Sequence, residues 1–213
     1  SGDNVVPFNP LDKNHLGESV GQAMLRRPVH PLSELATFPG AGLYAIYYSG
    51  DFEVYEPIAA RNRGERPVAP IYVGKAVPSG ARKGGGSSAL NEQSLYKRLN
   101  DHRKSVNAAN NLELADFAFR ALIVDDIWIP LGESLLIAKF TPLWNKLIDG
   151  FGNHDPGKGR HKGLRPRWDV LHPGRTWADK CQPRDETAAQ IVTEVRNYLR
   201  NNPPPDDDTM ITS

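Results

Sequence analysis

The sequence has little cysteine, little net charge and no long apolar run. Its 213 residues include one cysteine, Cys181, which excludes an internal disulfide and a zinc site built from several cysteines. No apolar run approaches the roughly 18 residues that a membrane helix needs. No charged and then apolar leader opens the chain. These features predict a soluble protein of a reducing cytoplasm.

Positive charge is concentrated in two segments, although the formal net charge is only +1. Residues 75–104 contain seven lysines and arginines against two acidic residues, and residues 150–175 contain six against two. Acidic residues gather elsewhere, at Asp125, at Asp126 and at 206–208. Two basic segments in a neutral chain can form one face for a phosphate backbone, although solvated loops are the commoner case.

Local patterns predict an α/β protein with a large basic loop. The predicted strands are 42–48, 52–58, 70–76 and 113–124, and the predicted helices are 17–27, 91–107, 130–140 and 186–200. The glycine-rich segment 78–88 predicts a flexible loop. It is not a nucleotide-binding loop, because Gly84 follows Lys83 where serine or threonine is required. We therefore expect no nucleotide cofactor.

Polar side chains fall on the apolar sides of two predicted helices. Arg98 and His102 lie within the apolar stripe of one, and Glu133 shares a face with apolar residues in the other. Buried charges need partners, so each residue is either paired inside the core or directed into a cleft. Glu133 also suits the first turn of a helix through the helix dipole. Asn145, which follows that helix, can equally be a turn residue.

Two predicted strands each place a tyrosine near a glycine, and the segments that follow them complete a family pattern. The segments are "GLYAIYY", "IYVGKA", "LYKRLNDH" and "GESLLIAKFTPLWN". This ordered set resembles the GIY-YIG nuclease superfamily, with Tyr44 and Tyr72 in the two signatures and with Leu43 and Val73 in place of isoleucines. The resemblance covers roughly residues 40–146. The later segment "GFGNHDPGKGRHKGLRPRWDVLHPGR" resembles type II restriction enzymes of this superfamily.

The resemblance implies a small mixed or antiparallel central sheet flanked by helices, with loop-rich basic insertions. It implies a catalytic core at 40–148, with an insertion at about 50–69 that separates the tyrosine strands. Residues 1–39 then form an N-terminal arm and a short helix. Residues 149–202 form a basic loop and a C-terminal helix of the same domain, and 203–213 form a disordered tail.

The resemblance also implies hydrolysis of phosphodiester bonds with a divalent cation. Glu133 would hold Mg²⁺, for which Mn²⁺ could substitute, and Arg98 would neutralise the phosphate. Tyr44 would be the base for water, but a free tyrosine has a pKa of about 10, so His102 remains an alternative base. The residues implied in catalysis are Tyr44, Tyr72, Arg98, His102, Glu133 and Asn145.

A restriction enzyme of this type implies double-stranded DNA as the partner. Cutting both strands of a palindromic site with one active site per chain implies a homodimer. The residues expected to contact DNA are Lys75, Arg82, Lys83, Arg160, Lys162, Arg165, Arg167 and Arg175. Because arginine pairs most often with guanine, we expect a G·C-rich site, although any one of these residues can be a phosphate clamp. The resemblance also implies a bacterial source.

Two other interpretations remain open at the level of sequence. A DNA-binding protein without activity would use the same basic surface, but it would have no need of Glu133. A nuclease of another class would place a metal on His154, His161 and His172, although their spacing matches no familiar zinc pattern. No cofactor motif supports an enzyme acting on small molecules.

Overall fold

An antiparallel sheet lies at the centre of the computed structural model. The residues that the structure describes are 12–79, 92–157, 159 and 161–206. The strands are β1 (His30–Pro31), β2 (Gly42–Tyr48), β3 (Pro70–Ala76) and β4 (Phe117–Ile123). They lie in the order β1-β4-β2-β3, and each neighbouring pair is antiparallel. This mixed α/β architecture, with helices beside the sheet, confirms the predicted fold class.

Helices cover both faces of this sheet. They are α1 (Lys13–Leu25), α2 (Glu56–Asn62), α3 (Ser94–Ala108), α4 (Ile129–Phe140), α5 (Leu143–Lys146), α6 (Arg167–Leu171) and α7 (Ala188–Asn201). One apolar cluster joins β2 to α1 and α4, and another joins β2 to α3, α5 and α7. Among the described residues, no helix is long and apolar enough to cross a membrane.

The central strand β2 is buried along its whole length because both of its faces are covered. Leu43 and Tyr47 belong to the cluster with α1 and α4, whereas Tyr44 and Tyr48 belong to the cluster with α3 and α5. This alternation follows from the two-residue repeat of an extended strand. It directs Tyr44 towards α3.

The prediction of a strand at 52–58 is wrong. A 3₁₀ turn at Glu53–Tyr55 leads directly into α2, whose first turn contains Pro57. Val54 and Ile58, four residues apart, are both buried in the cluster that joins β2 to α3, α5 and α7, as expected for a helical turn. Short apolar segments of this kind do not distinguish strand from helix by pattern alone.

The long connection at 50–69 leaves β2 and β3 directly paired. Tyr44 lies opposite Gly74 in this pairing. The side-chain amide of Asn62, at the end of α2, donates to the carbonyls of Tyr48 and Ala69 at 2.8 and 2.9 Å. It also accepts from the backbone N–H groups of Val68 and Ala69. One side chain thus joins the ends of the two tyrosine strands.

The other predicted elements are present, with shifted ends. The observed β2 and β3 have the predicted limits, and the four predicted helices begin and end within four residues of their predicted limits. The fourth strand begins later, after a 3₁₀ turn at Leu114–Asp116. The predicted basic loop after 149 contains α6. Predictions for residues 1–11, 80–91 and 207–213 lie outside the described residues.

Candidate active site

Tyr44 and Tyr72 face the same side of the sheet, with ring centroids 6.3 Å apart. Tyr44 lies over Gly74 of the neighbouring strand. A Cβ atom at position 74 would lie 2.2 Å from the Tyr44 hydroxyl oxygen, so the space exists only because this residue is glycine. The glycine of the second signature is therefore a packing requirement of the tyrosine in the first.

Helix α3 brings Arg98 and His102 to the two tyrosines. Buried Leu95 and Leu99 fix this face of the helix against the core. His102 is itself buried, and its Nε2 lies 2.6 Å from the Tyr44 hydroxyl. Its ring stacks on Phe151 with centroids 4.5 Å apart. The apolar stripe predicted from sequence thus contains a histidine that pairs with a tyrosine.

Electrostatics keep both members of this hydrogen bond uncharged. Burial, with a contribution from Tyr72, raises the pKa of Tyr44 well above its usual value, although Arg98 acts in the opposite direction. Burial, with a contribution from the positive charge of Arg98, holds the pKa of His102 well below its usual value. At neutral pH the hydroxyl of Tyr44 therefore keeps its proton and the ring of His102 is neutral.

Arg98 is held by the segment that contains Gly152 and His154. Its Nη2 donates to the carbonyl of Gly152 at 2.8 Å, and its Nη1 lies 2.7 Å from Nε2 of His154. Burial raises the pKa of Tyr72, and the charge of Arg98 partly offsets this rise. The guanidinium is thus the positive charge that both tyrosines experience, and it keeps further N–H groups for a ligand.

Gly152 lies close to both Tyr72 and Arg98. A Cβ atom at this position would lie 2.8 Å from the Tyr72 hydroxyl oxygen and 2.9 Å from Nη2 of Arg98. The backbone of this segment can therefore approach the site only because the residue is glycine.

Glu133 lies in α4, one turn from its start, and its Oε1 is 3.1 Å from Nζ of Lys75. Lys75 lies opposite Leu43 in the pairing of β2 with β3, and Leu43 belongs to the cluster with α1 and α4. Lys75 and Glu133 therefore lie on the α4 side of the edge strand β3, whereas the two tyrosines lie on its other side. The carboxylate is still close enough for its charge to raise the pKa of Tyr44 and of Tyr72, as a smaller cause than burial.

The donor set fits a hard cation held by one protein ligand. Within the ranges that the structure describes, no group of three or more acidic, histidine or cysteine residues could enclose a metal ion. Mg²⁺ commonly binds through one or two carboxylates and keeps most of its waters, so Glu133 alone is a sufficient protein ligand for it. A cation at Glu133 would also offset the negative charge that the tyrosines experience.

Asn145 binds the backbone of the edge strand. Its Oδ1 accepts from the N–H of Val73 and its Nδ2 donates to the carbonyl of Val73, both at 2.8 Å. The side-chain amide is therefore engaged with the residue that follows Tyr72. It therefore acts on the tyrosine through the backbone of β3.

The segment 150–154 that covers the site is fixed by Arg175. This arginine is buried and forms two hydrogen bonds, at 2.7 and 2.5 Å, with the carboxylate of Asp169. It also donates to the carbonyls of Gly150 and Phe151 at 2.8 and 3.1 Å. Arg175 was expected on a DNA face, but its guanidinium is used inside the protein, and we exclude it from that face.

The other residues expected to contact DNA differ in their freedom to do so. Lys162 is exposed, and Lys75 is paired with Glu133. Arg165 donates to the carbonyl of Ala178 at 3.1 Å. Arg167 forms an ion pair with Glu194 at the surface. The remaining candidates, which lie outside the described residues, are Arg82, Lys83 and Arg160.

The three histidines of the alternative metal site do not meet. His154 lies against Arg98, and His161 lies 3.0 Å from Oδ1 of Asp155. His172 is buried, with Nε2 at 2.6 Å from the hydroxyl of Tyr55. Its other nitrogen, Nδ1, lies 2.9 Å from Oδ1 of Asn111, so neither ring nitrogen is open to a metal.

Sequence reasoning missed the pairing of Tyr55 with His172, which repeats the geometry of Tyr44 with His102 away from the site. It also missed the contact of His154 with Arg98, because 56 residues separate the two and no local pattern connects them. The dense glycines around position 152 were the available signal of a close backbone approach.

The order of these elements places the protein among the GIY-YIG nucleases. Its tyrosines lie on adjacent strands, and the arginine and glutamate lie on the two helices expected to carry them. The chain belongs to the family of the Eco29kI GIY-YIG domain, which matches residues 36–199 and is a family of type II restriction endonucleases. It is therefore a nuclease that acts on DNA. A comparison with curated proteins gives no match.

Proposed function

We propose that this protein is a type II restriction endonuclease that hydrolyses both strands of DNA at a short palindromic site. The observation that carries the proposal is the hydrogen bond of 2.6 Å between Tyr44 and the uncharged His102, beside the guanidinium of Arg98. A base for water and a cation that binds the phosphate are two of the groups that promote hydrolysis of a phosphodiester.

Tyr44 acts as the base for the attacking water, and His102 receives the proton that Tyr44 gives up. The hydroxyl oxygen takes a proton from water while its own proton passes to Nε2 of His102. Tyr44 then never needs to be ionised in the free protein, which its burial would oppose. Burial and Arg98 also oppose a charged His102, so His102 receives the proton only while negative charge develops on the phosphate. This relay combines the two bases that the sequence left as alternatives.

Arg98 and Tyr72 complete the site around the phosphate. Arg98 donates to the non-bridging oxygens through the N–H groups that Gly152 and His154 leave unused. Tyr72, which is less deeply buried than Tyr44, orients the water beside it. Removing one such charged donor commonly costs about 3–4 kcal/mol of transition-state stabilisation.

Glu133 would hold Mg²⁺, and Mn²⁺ would substitute for it. A bound divalent cation supplies a Lewis acid that stabilises negative charge on the leaving 3′-oxygen. Lys75 forms an ion pair with Glu133, the residue that would hold the cation. A cation on the carboxylate would leave the ammonium of Lys75 available for a DNA phosphate.

DNA is bound next to this site, with Lys75, Lys162, Arg165 and Arg167 as contributors. The expectation that Arg82, Lys83 and Arg160 contact DNA stays a prediction from the sequence. Arg167 would exchange Glu194 for a phosphate. Residues of this set that reach the major groove would favour guanine, so the proposed site is rich in G·C pairs.

Two copies of the chain act together on the palindrome. Exposed apolar side chains, Ile123, Ile127 and Trp128, lie around the start of α4, where Asp125 and Asp126 are also exposed. These acidic neighbours would repel DNA phosphates, so this surface suits a second copy of the chain better than DNA.

The dimer is tested by measuring molar mass by light scattering, with and without DNA. We expect a dimer on DNA for the parent and for Trp128→Phe, and a monomer that nicks one strand for Trp128→Glu. A Trp128→Glu protein that remains dimeric and cuts both strands would place the contact elsewhere.

The nuclease is tested with plasmid DNA of varied sequence, Mg²⁺ and purified protein. We expect discrete fragments from the parent and from the surface control Glu113→Gln, and none from Glu133→Gln or with a chelator present. Sequencing of the fragment ends would give the site. If no plasmid is cut while all three proteins bind DNA equally, the protein is a DNA-binding module without activity.

A further inference from the structure

We propose that His154 is a positioning residue that orients the guanidinium of Arg98 towards the scissile phosphate. The inference rests on the proposed function, because it concerns the same site. It gives a role to a histidine that the sequence had connected only with an alternative metal site.

The geometry that supports this role is a two-point contact. Nη1 of Arg98 lies 2.7 Å from Nε2 of His154, and Nη2 donates to the carbonyl of Gly152 at 2.8 Å. Two contacts on different nitrogens fix both the position and the plane of a guanidinium, which a single contact would leave free to rotate. Because the phosphate must meet this plane from the other side, the contacts preorganise Arg98 for it.

The segment that carries His154 is itself well anchored. Arg175 donates to the carbonyls of Phe151 and Asn153 at 3.1 and 3.2 Å, on either side of Gly152. Phe151 stacks on His102. The backbone next to His154 is therefore fixed by hydrogen bonds from the buried Arg175 and by the stacking of Phe151 on His102.

The contact requires the uncharged form of His154. An arginine can only donate, so Nε2 of His154 must accept, and its proton must lie on Nδ1. A protonated ring has N–H groups at both nitrogens, so it would lose the bond and would repel Arg98. Acidification should therefore release the guanidinium.

Other charged and titratable groups line this cleft. Asp101 lies 4.0 Å from His154, and Arg98 contacts the same ring nitrogen. The charged and titratable residues that line the cleft with His154 are Arg98, Asp101, His102, Lys104 and Asp155, and Arg175 contacts Asn153 within it. A test must therefore compare two proteins at each pH rather than follow one.

The first test compares single-turnover cleavage by the parent, His154→Ala, His154→Gln and the loop control His161→Gln. Glutamine supplies an acceptor at a similar reach and does not titrate. We expect His154→Ala to cleave roughly 10- to 100-fold more slowly with little change in DNA affinity, and both glutamine variants to stay close to the parent. Equal rates for all four proteins would overturn the proposal.

The second test asks whether His154 acts through Arg98. We expect His154→Ala to have no further effect on the cleavage rate in an Arg98→Lys background, because the oriented group is already gone. If His154→Ala reduced the cleavage rate by the same factor in both backgrounds, His154 would act independently of Arg98, and the proposal would fail.

The third test is the ratio of the rate of His154→Gln to the rate of the parent, from about pH 8 to about pH 5.5, a range that spans ordinary histidine titration. We expect the ratio to rise as pH falls, whereas a constant ratio would contradict the proposal. If the parent cuts no DNA, the proposed function and this inference fail together. If the parent cuts and needs Arg98 but not His154, only this inference fails.

Discussion

At the scale of single residues, Gly74 and Tyr44 form a pair in which each explains the other. The tyrosine ring occupies the space that a side chain at position 74 would take, since a Cβ atom there would lie only 2.2 Å from the tyrosine hydroxyl oxygen. The same hydroxyl lies 2.6 Å from Nε2 of His102. The two signature segments are therefore one packing unit and not two separate motifs.

Gly74→Ala should displace Tyr44 and slow DNA cleavage strongly. The added methyl group also costs about 1–3 kcal/mol of stability, because the buried ring cannot move freely. Gly17→Ala is the control, since nothing lies within 4 Å of a Cβ atom there and the residue is in a helix. Urea unfolding and single-turnover cleavage measure both effects. Parent-like cleavage by Gly74→Ala would contradict the packing argument.

At the scale of elements, β3 is an edge strand whose outer side is satisfied by α5. Asn145 pairs with both backbone groups of Val73. Asn62 makes a similar set of backbone bonds at the far end of the same hairpin, with Tyr48, Val68 and Ala69. The chain thus contains two asparagine clamps on one pair of strands, of which only Asn145 adjoins the catalytic tyrosine.

Asn145→Ala and Asn62→Ala should separate stability from catalysis. Each leaves backbone groups without partners, at a cost of about 1–3 kcal/mol. Only Asn145→Ala should also slow cleavage, by roughly 10-fold or more, since it frees the strand beside Tyr72. Urea unfolding gives the first quantity and single-turnover kinetics the second. Equal cleavage rates in the two variants would remove the special role of Asn145.

Elements with a clear repeat were predictable from the sequence. The limits of β2 and β3 follow from short apolar runs with tyrosine and β-branched residues, each with glycine or proline near both ends. The helix α2 was not predictable, because its seven residues are too few to show a helical period. The ordered set of site residues came from resemblance, since no local pattern brings Tyr44 to His102 across 58 residues.

The DNA-contacting residues were the least predictable part of the site. Charge alone suggested that Arg175 faces DNA, whereas Asp169 and the tryptophans that flank it hold it inside. Sequence position does not reveal such pairing when the chain folds back through an irregular loop.

At the scale of the whole molecule, two buried uncharged histidines connect stability to pH. Burial lowers the pKa of His172 from its usual value to about 3, and it also holds the pKa of His102 well below its usual value. In the unfolded chain both rings would titrate near about pH 6.5. Below that pH the unfolded state binds protons that the native state does not, so acid destabilises the fold.

The free energy of unfolding should therefore fall between pH 7 and pH 5, by about 2 kcal/mol from His172 alone. Urea unfolding at the two pH values measures the change. His172→Gln keeps groups that can bond to Tyr55 and Asn111 but does not titrate, so we expect a smaller pH dependence from it. An identical pH dependence in both proteins would show that His172 is not responsible.

The most direct test of the account is the rate of DNA cleavage by Tyr44→Phe beside Tyr55→Phe. Both variants remove one hydroxyl that lies 2.6 Å from a buried histidine. The Tyr55 hydroxyl also accepts from Nε1 of Trp144 at 3.0 Å, so Tyr55→Phe should cost at least as much stability as Tyr44→Phe. We predict that Tyr44→Phe slows single-turnover cleavage by roughly 100-fold or more, whereas Tyr55→Phe cuts like the parent. Equal cleavage by the two variants would contradict the claim that Tyr44 and His102 are the catalytic pair.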